Sequence, residues 1–170
     1  MLIGGILIVV LILLDQIVKQ ISLVLSGGNE QLIKVLINNV LEFHHLINDG
    51  ASFGMLQGRQ LLFSLITIGA LVLFGYLFID SNFKTKKVYS ISVALFIAGT
   101  LGNAVDRTLR GGGVIDMFNM PILNDLLSYL NISPFIFNLA DVYLTFAIIL
   151  FAIDIFFLEG KRKGLDEWFY

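Results

Sequence analysis

Four stretches of this chain, Leu2 to Leu25, Gln60 to Ile79, Val88 to Val105 and Pro134 to Leu158, run for eighteen residues or more with at most two charged side chains each. At 1.5 Å per helical residue, about 20 residues cross a hydrocarbon layer of about 30 Å, and within that layer the backbone has no partner but itself. Each stretch is therefore predicted to be a transmembrane helix. Composition agrees: 57% of the 170 residues are hydrophobic and 14% are charged, with a mean hydropathy of +0.88, far outside the range of a water-soluble domain. An even number of crossings leaves both termini on one face. Lys84, Lys86 and Lys87 lie between the second and third stretches, and Lys161, Arg162 and Lys163 follow the fourth. The positive-inside rule puts that face, and the termini with it, in the cytoplasm.

The first stretch carries Asp15 and Lys19, has no basic lead, and continues into Leu-Ser-Gly-Gly-Asn-Glu rather than a small-residue cleavage site, so it reads as a retained helix and not a signal peptide. Segments 26–59 and 106–133 then lie outside. Gln31 to Ile47 is rich in Leu, Ile, Val and Phe, with turn residues at Asn38-Asn39 and at Asn48-Asp49-Gly50, the pattern of a small antiparallel β element on the membrane surface. The expected fold is an all-α membrane protein: four transmembrane helices with a small extracytoplasmic antiparallel β element, one domain over residues 1–170, acting as a monomer. The chain has no cysteine, which removes disulfides and thiolate chemistry, and His44 and His45 are adjacent rather than spaced as ligands on one helix face. No metal or cofactor is expected. Nucleic acid is set aside too, because no basic run is interleaved with aromatics.

Charged groups inside a bilayer cost about 2.5 to 3.5 kcal/mol each near its centre, so each needs a reason. Asp15 lies about 20 Å along the first helix, in its outer half, with Lys19 one turn further out. Asn103, Asp106 and Arg107 sit at the outer end of the third span. Asn138 and Asp141 repeat the three-residue spacing in the fourth, where Ser133-Pro134 offers an N-cap and first helical position, placing Asp141 about 10 Å below the outer helix end. These groups arrive at one depth from three helices, which points to a site. Plainer readings exist: Asp15 and Lys19 neutralise each other as an i, i+4 pair, Asp106 and Arg107 form an interfacial ion pair, Asp154 faces cytoplasmic headgroups, and Asp125, Asp49 and the two histidines are solvated loop residues. Asp141 resists them best, having no basic residue within a turn. Asp116 is its most interesting partner: after Gly111-Gly112-Gly113 the chain turns back, and Val114-Ile115-Asp116-Met117-Phe118 surrounds a lone carboxylate with apolar neighbours.

Two carboxylates within a few ångströms cannot both ionise, so one keeps a proton while the other acts as base on a water between them. This is the aspartic protease arrangement. Spacing alone leaves open whether Asp106 or Asp116 partners Asp141. A proton or ion relay through Asp15, Lys19, Asp106 and Asp141 would need polar groups continuing to the cytoplasmic side, and the inner halves of the spans are nearly bare apart from Asp154. A Ser52/Lys34 dyad in the outer loop is the rival within peptidase chemistry.

Five segments, in order, resemble the bacterial lipoprotein signal peptidase (signal peptidase II) family: Asp15-Gln16-x-x-Lys19, Asn48-Asp49-Gly50-Ala51-Ser52-Phe53-Gly54, Gly99-Thr100-Leu101-Gly102-Asn103-Ala104-Val105-Asp106-Arg107, Val114-Ile115-Asp116, and Phe137-Asn138-Leu139-Ala140-Asp141. The resemblance implies a catalytic dyad of Asp116 and Asp141, with Asp106 structural and paired with Arg107. It implies that Asp15, Lys19, Asn48, Gly50, Gly99, Asn103, Arg107, Asn138 and Ala140 line or support the substrate site. It further implies that the outer β element cradles the substrate and that a short helix in the second outer loop covers the cleft. The implied substrate is a prolipoprotein whose cysteine already carries diacylglycerol, cut on the amino side of that cysteine at the outer face of the bacterial cell membrane. The link from Arg107 to Asp116 is slightly longer than the family's usual one, and the stretch from Met117 to Pro134 is long and hydrophobic.

Overall fold

The computed structural model describes residues 1–48, 60–110 and 113–162. Its long helices are α1 (Leu2–Ser26), α2 (Gln60–Ile79), α3 (Lys87–Leu109) and α5 (Leu139–Ile153), the last continuing through a π-helical turn at Asp154–Glu159 to Arg162. All four are long and apolar enough to cross a membrane. Gly27 ends α1: its φ of 62° suits a residue without Cβ, and the N–H groups of Gly27 and Gly28 return to the carbonyls of Val24 and Leu23.

Helix α3 is the hub against which α1, α2 and α5 pack. Small residues let the backbones approach. A Cβ added at Gly99 would lie 2.6 Å from the Ala140 carbonyl oxygen and 2.7 Å from Leu144 Cγ, and one at Gly102 would lie 2.8 Å from Asp15 Oδ2. On α2, Phe74 stacks on Phe96 of α3 with ring centroids 4.4 Å apart. The burial pattern is inverted relative to a soluble protein: Leu2, Leu61 and Phe156 are 76–79% exposed, whereas Asp15, Lys19 and Asp106 are 0% exposed. Such a surface suits hydrocarbon, and the polar groups it cannot solvate are collected between the helices.

A four-stranded antiparallel sheet, β1 (Gln31–Ile37), β2 (Leu41–Asn48), β3 (Val114–Asn119) and β4 (Ile136–Phe137), sits at the end of the bundle where α1 stops, in the order β1-β2-β3-β4. The first two strands are the expected hairpin, turning through Asn39 at φ 57°. The sheet reaches further than expected, because β3 and β4 come from the second connecting segment. Asp116 therefore stands on a strand opposite Leu46, not on an irregular loop. Ring contacts of 5.8–5.9 Å from Phe43 to Phe118 to Phe137 tie β2, β3 and β4 together. Between β3 and β4 lies the short helix α4 (Pro121–Tyr129), closed by Asn131 at φ 57° with Ile132 N–H bonded to the Leu127 carbonyl.

The expected boundaries shift in two places. Helix α3 continues past Val105 to Leu109, so Asp106 and Arg107 are helical. The fourth span starts at Leu139 rather than Pro134: Ile136 and Phe137 pair with β3, and Asn138, not Ser133, is the N-cap. Its side chain accepts the Asp141 N–H while the Asp141 side chain accepts the Asn138 N–H, a reciprocal box that outcompetes a lone Ser-Pro signal.

Candidate active site

Asp141 stands in the first turn of α5, and Asp116 on β3, whose neighbour β4 runs directly into that turn. Both border one cavity of about 290 Å3. Four amides hold their oxygens. Asn48 Nδ2 donates to Asp116 Oδ2 at 2.9 Å and Asn138 Nδ2 to Asp116 Oδ1 at 2.6 Å. Asn103 Nδ2 donates to Asp141 Oδ1 at 2.9 Å, and the Asn138 backbone N–H to Asp141 Oδ2 at 3.1 Å. Asn138 thus touches both carboxylates. Its Nδ2 also donates to Asn103 Oδ1 at 3.0 Å, which joins the donors into one network. Burial, and next the charge of Asp141, push the Asp116 carboxyl up to about 7, against the lowering effect of the Asn48 and Asn138 bonds. Asp141 lies in the first turn of α5, where its side chain accepts the Asn138 N–H.

A buried ion cluster lies on the far side of Asn103. Lys19 Nζ is 2.8 Å from Asp15 Oδ2 and 2.9 Å from Asp106 Oδ2, and it donates to Asn103 Oδ1 at 3.2 Å. Asp15 Oδ1 accepts the Ala140 N–H at 3.0 Å, and Asp106 Oδ2 accepts the Ile115 N–H at 3.1 Å. The expected pairing of Asp106 with Arg107 is corrected: Asp106 pairs with Lys19 and, at 3.1 Å, with Arg110. Adjacent helical residues point about 100° apart, whereas i and i+4 share a face. Arg107 instead borders the aspartate cavity and lies 4.7 Å over the Phe63 ring.

The structure thus brings together Asp15, Lys19, Asn48, Asn103, Asp106, Arg107, Asp116, Asn138, Ala140 and Asp141, with Gly99 at the α3–α5 contact. Gly50, Ser52 and Gly111-Gly112 lie outside the described residues. Sequence reasoning missed two members. Gln16 donates to Asp15, to Asp106 and to the Gly102 carbonyl, and Arg110 is legible only as the i+4 partner of Asp106. Two plainer readings also change. His45 is buried against α1, with Nδ1 2.8 Å from Ser22 Oγ, and burial holds its pKa below the usual value. Asp154 is buried rather than facing headgroups, held by two 2.7 Å bonds from Arg162 at the opposite end of the bundle. Next to the aspartate cavity, and sharing Phe135, Phe137, Asp141 and Thr145 with it, an apolar pocket of about 280 Å3 runs between α4 and α5.

Residues 7–157 match the family model described as signal peptidase (SPase) II. The chain is 36% identical over 152 residues to the lipoprotein signal peptidase of Lactiplantibacillus plantarum, covering 88% of this chain and 91% of that protein. It is 34% identical over 131 residues to that of Clostridioides difficile, covering 75% and 78%. A bacterial membrane enzyme solved by the in meso method at 1.9 Å superposes with a TM-score of 0.74 at 30% identity, over 91% of this chain and 93% of that one. Another, solved at 2.3 Å, gives a TM-score of 0.72 at 29% identity, over 94% and 90%.

Proposed function

Since this chain belongs to the lipoprotein signal peptidase (signal peptidase II) family, and is thus a bacterial multi-pass membrane protease that removes signal peptides from lipoproteins, we propose that it does so as an aspartic endopeptidase with Asp116 and Asp141 as its catalytic pair. One observation carries this reading: two carboxylates on different elements border one cavity, and a single residue, Asn138, bonds to both. Their surroundings divide the labour. Asp116, more deeply buried and pushed up to about 7, is the member that carries the proton, which leaves Asp141 the role of base.

In the proposed reaction, ionised Asp141 takes a proton from a water as its oxygen attacks the scissile carbonyl carbon, while Asp116 donates its proton to the carbonyl oxygen. As the C–N bond breaks, Asp141 passes its acquired proton to the leaving nitrogen, and Asp116 recovers its own when the new carboxyl forms. Asn48, Asn103 and Asn138 hold the carboxylates at fixed angles, so little reorganisation is needed. Arg107, on the cavity wall, is suited to holding a substrate carbonyl or an anionic headgroup.

The substrate in this reading is a prolipoprotein whose cysteine already carries diacylglycerol, cut on the amino side of that cysteine. Support comes from the apolar pocket that shares Asp141 and Thr145 with the reaction cavity, where an acyl chain would lie beside the scissile bond. The β element cradles the peptide and α4 covers the cleft. All the groups come from one chain, in keeping with a monomeric enzyme, and by the positive-inside rule the lysines of the α2–α3 connection support a topology with both termini in the cytoplasm and the aspartates near the outer face. Mass-spectrometric mapping of the products from a diacylglyceryl-modified prolipoprotein tests the reading. A new amino terminus at the lipidated cysteine, with much slower cutting of the unlipidated precursor, is expected; cutting elsewhere, or equal rates on both, contradicts it.

A further inference from the structure

Lys19, Asp15 and Asp106 are each fully buried, yet none of them borders the aspartate cavity. Stability is a weak reason for such a cluster. Desolvation offsets most of the attraction within a buried ion pair, and well-packed apolar side chains of the same volume often do as well or better. The outward connections of the cluster say more. Asp15 Oδ1 accepts the N–H of Ala140, the residue before Asp141, at 3.0 Å. Asp106 Oδ2 accepts the N–H of Ile115, the residue before Asp116, at 3.1 Å. Lys19 Nζ lies between the two carboxylates, at 2.8 and 2.9 Å. A third arm runs to Asn103 Oδ1 at 3.2 Å. Because an ammonium can only donate, this bond fixes which way the Asn103 amide faces and leaves Nδ2 for Asp141 Oδ1 at 2.9 Å.

Resting on the reading of Asp116 and Asp141 as the catalytic pair, we propose that Lys19 is a positioning residue: it sets the separation and orientation of the two aspartates through carboxylates that grip the amide preceding each. Helix α1 thereby takes part in catalysis without lending a group to the cavity. The arrangement spans three parts of the fold, since Lys19 is on α1, the Ala140 amide opens α5 and the Ile115 amide is on β3. Pairing of β3 with β4 and the Asn138 bridge still join those parts when Lys19 is changed. Loss of Lys19 therefore loosens the pair without dispersing it.

The test measures kcat, KM and the pH dependence of kcat/KM on a lipidated prolipoprotein for Lys19→Arg and Lys19→Met. Rates are referred to folded protein by thermal unfolding in detergent, with Asp116→Asn and Asp141→Asn alongside. Lys19→Arg keeps the charge but replaces a compact donor with a wider planar fork, whereas Lys19→Met removes the charge at similar volume. Both variants are expected to lose about tenfold or more in kcat with KM held within about threefold, since a small misplacement of reacting groups acts on the chemical step. The alkaline limb of kcat/KM also moves, because the Lys19 charge near Asp116 is displaced in one variant and lost in the other. Wild-type kcat with an unmoved limb, a change confined to KM, or a loss that only tracks the folded fraction overturns the proposal. Wild-type turnover by Asp116→Asn and Asp141→Asn would instead bring down the catalytic pair.

Discussion

At the scale of single residues, the environment of Asp116 matters most. The residue is 2% exposed and its two carboxyl oxygens accept amide bonds from Asn48 and Asn138, so it is oriented but poorly solvated. The folded value of about 7 lies above the ordinary 3.8. Between those two values the folded protein keeps a proton that the unfolded chain gives up, so stability falls as pH rises from about 3.8 to about 7. Asp116→Asn removes that loss. The variant is expected to unfold at a higher temperature than wild type above pH 7, with the gap closing toward pH 4, as followed by thermal unfolding in detergent; a variant less stable than wild type at every pH contradicts this. In the proposed mechanism the same proton serves catalysis, so kcat/KM is expected to decline as pH rises through about 7, when Asp116 ionises, as a pH-rate profile on a lipidated prolipoprotein would show. Spacing could not choose between Asp106 and Asp116 because both stand at plausible distances from Asp141 along the chain. The structure separates them by use: Asp106 is consumed by Lys19, Arg110 and the Ile115 amide, while Asp116 borders the cavity.

At the scale of elements, the approach of α3 to α5 decides where Asp141 stands. Gly99 leaves no room for a Cβ, since the nearest atom is the backbone oxygen of Ala140, one residue before Asp141. Gly99→Ala is expected to force the helices apart, at a cost of about 1 to 3 kcal/mol, and to lower kcat per folded molecule as Asp141 is drawn away from Asn103. Thermal unfolding and turnover, measured on one preparation, check this together; an unchanged unfolding temperature would show that the contact is looser than described. Helix existence was legible because twenty apolar residues in a row have few alternatives in any solvent. The start of α5 was not, because Ser133-Pro134 is a sound local cap signal. What overrides it is tertiary: Ile136 and Phe137 are taken up by β3, and the reciprocal Asn138–Asp141 cap then begins the helix. The second half of the sheet was hidden for the same reason, since β4 is two residues long and its partner β3 is buried without the alternation of a half-exposed strand.

At the scale of the whole molecule, the inverted distribution of side chains makes the site possible. Apolar side chains face outward along the helices, and the polar groups that hydrocarbon would not accept are gathered between α1, α3, α5 and the sheet, where they satisfy one another. A second gathering, Asp154 with Arg162, closes the opposite end of the bundle and was misjudged from sequence because depth along a helix does not reveal which side chain folds back over it. Convergence of ionisable groups at one depth was legible from counting residues along the spans; the division into a proposed reacting pair and a supporting cluster came from the family resemblance and not from spacing, and the structure adds the bonds each group makes. That division is tested most directly by purified Asp116→Asn and Asp141→Asn, assayed on a diacylglyceryl-modified prolipoprotein beside the wild type. Both variants are predicted to fold, to bind substrate, and to cleave at less than about one thousandth of the wild-type rate, the scale set by losing a residue that acts as part of a unit; normal cleavage by either folded variant would contradict the aspartic mechanism.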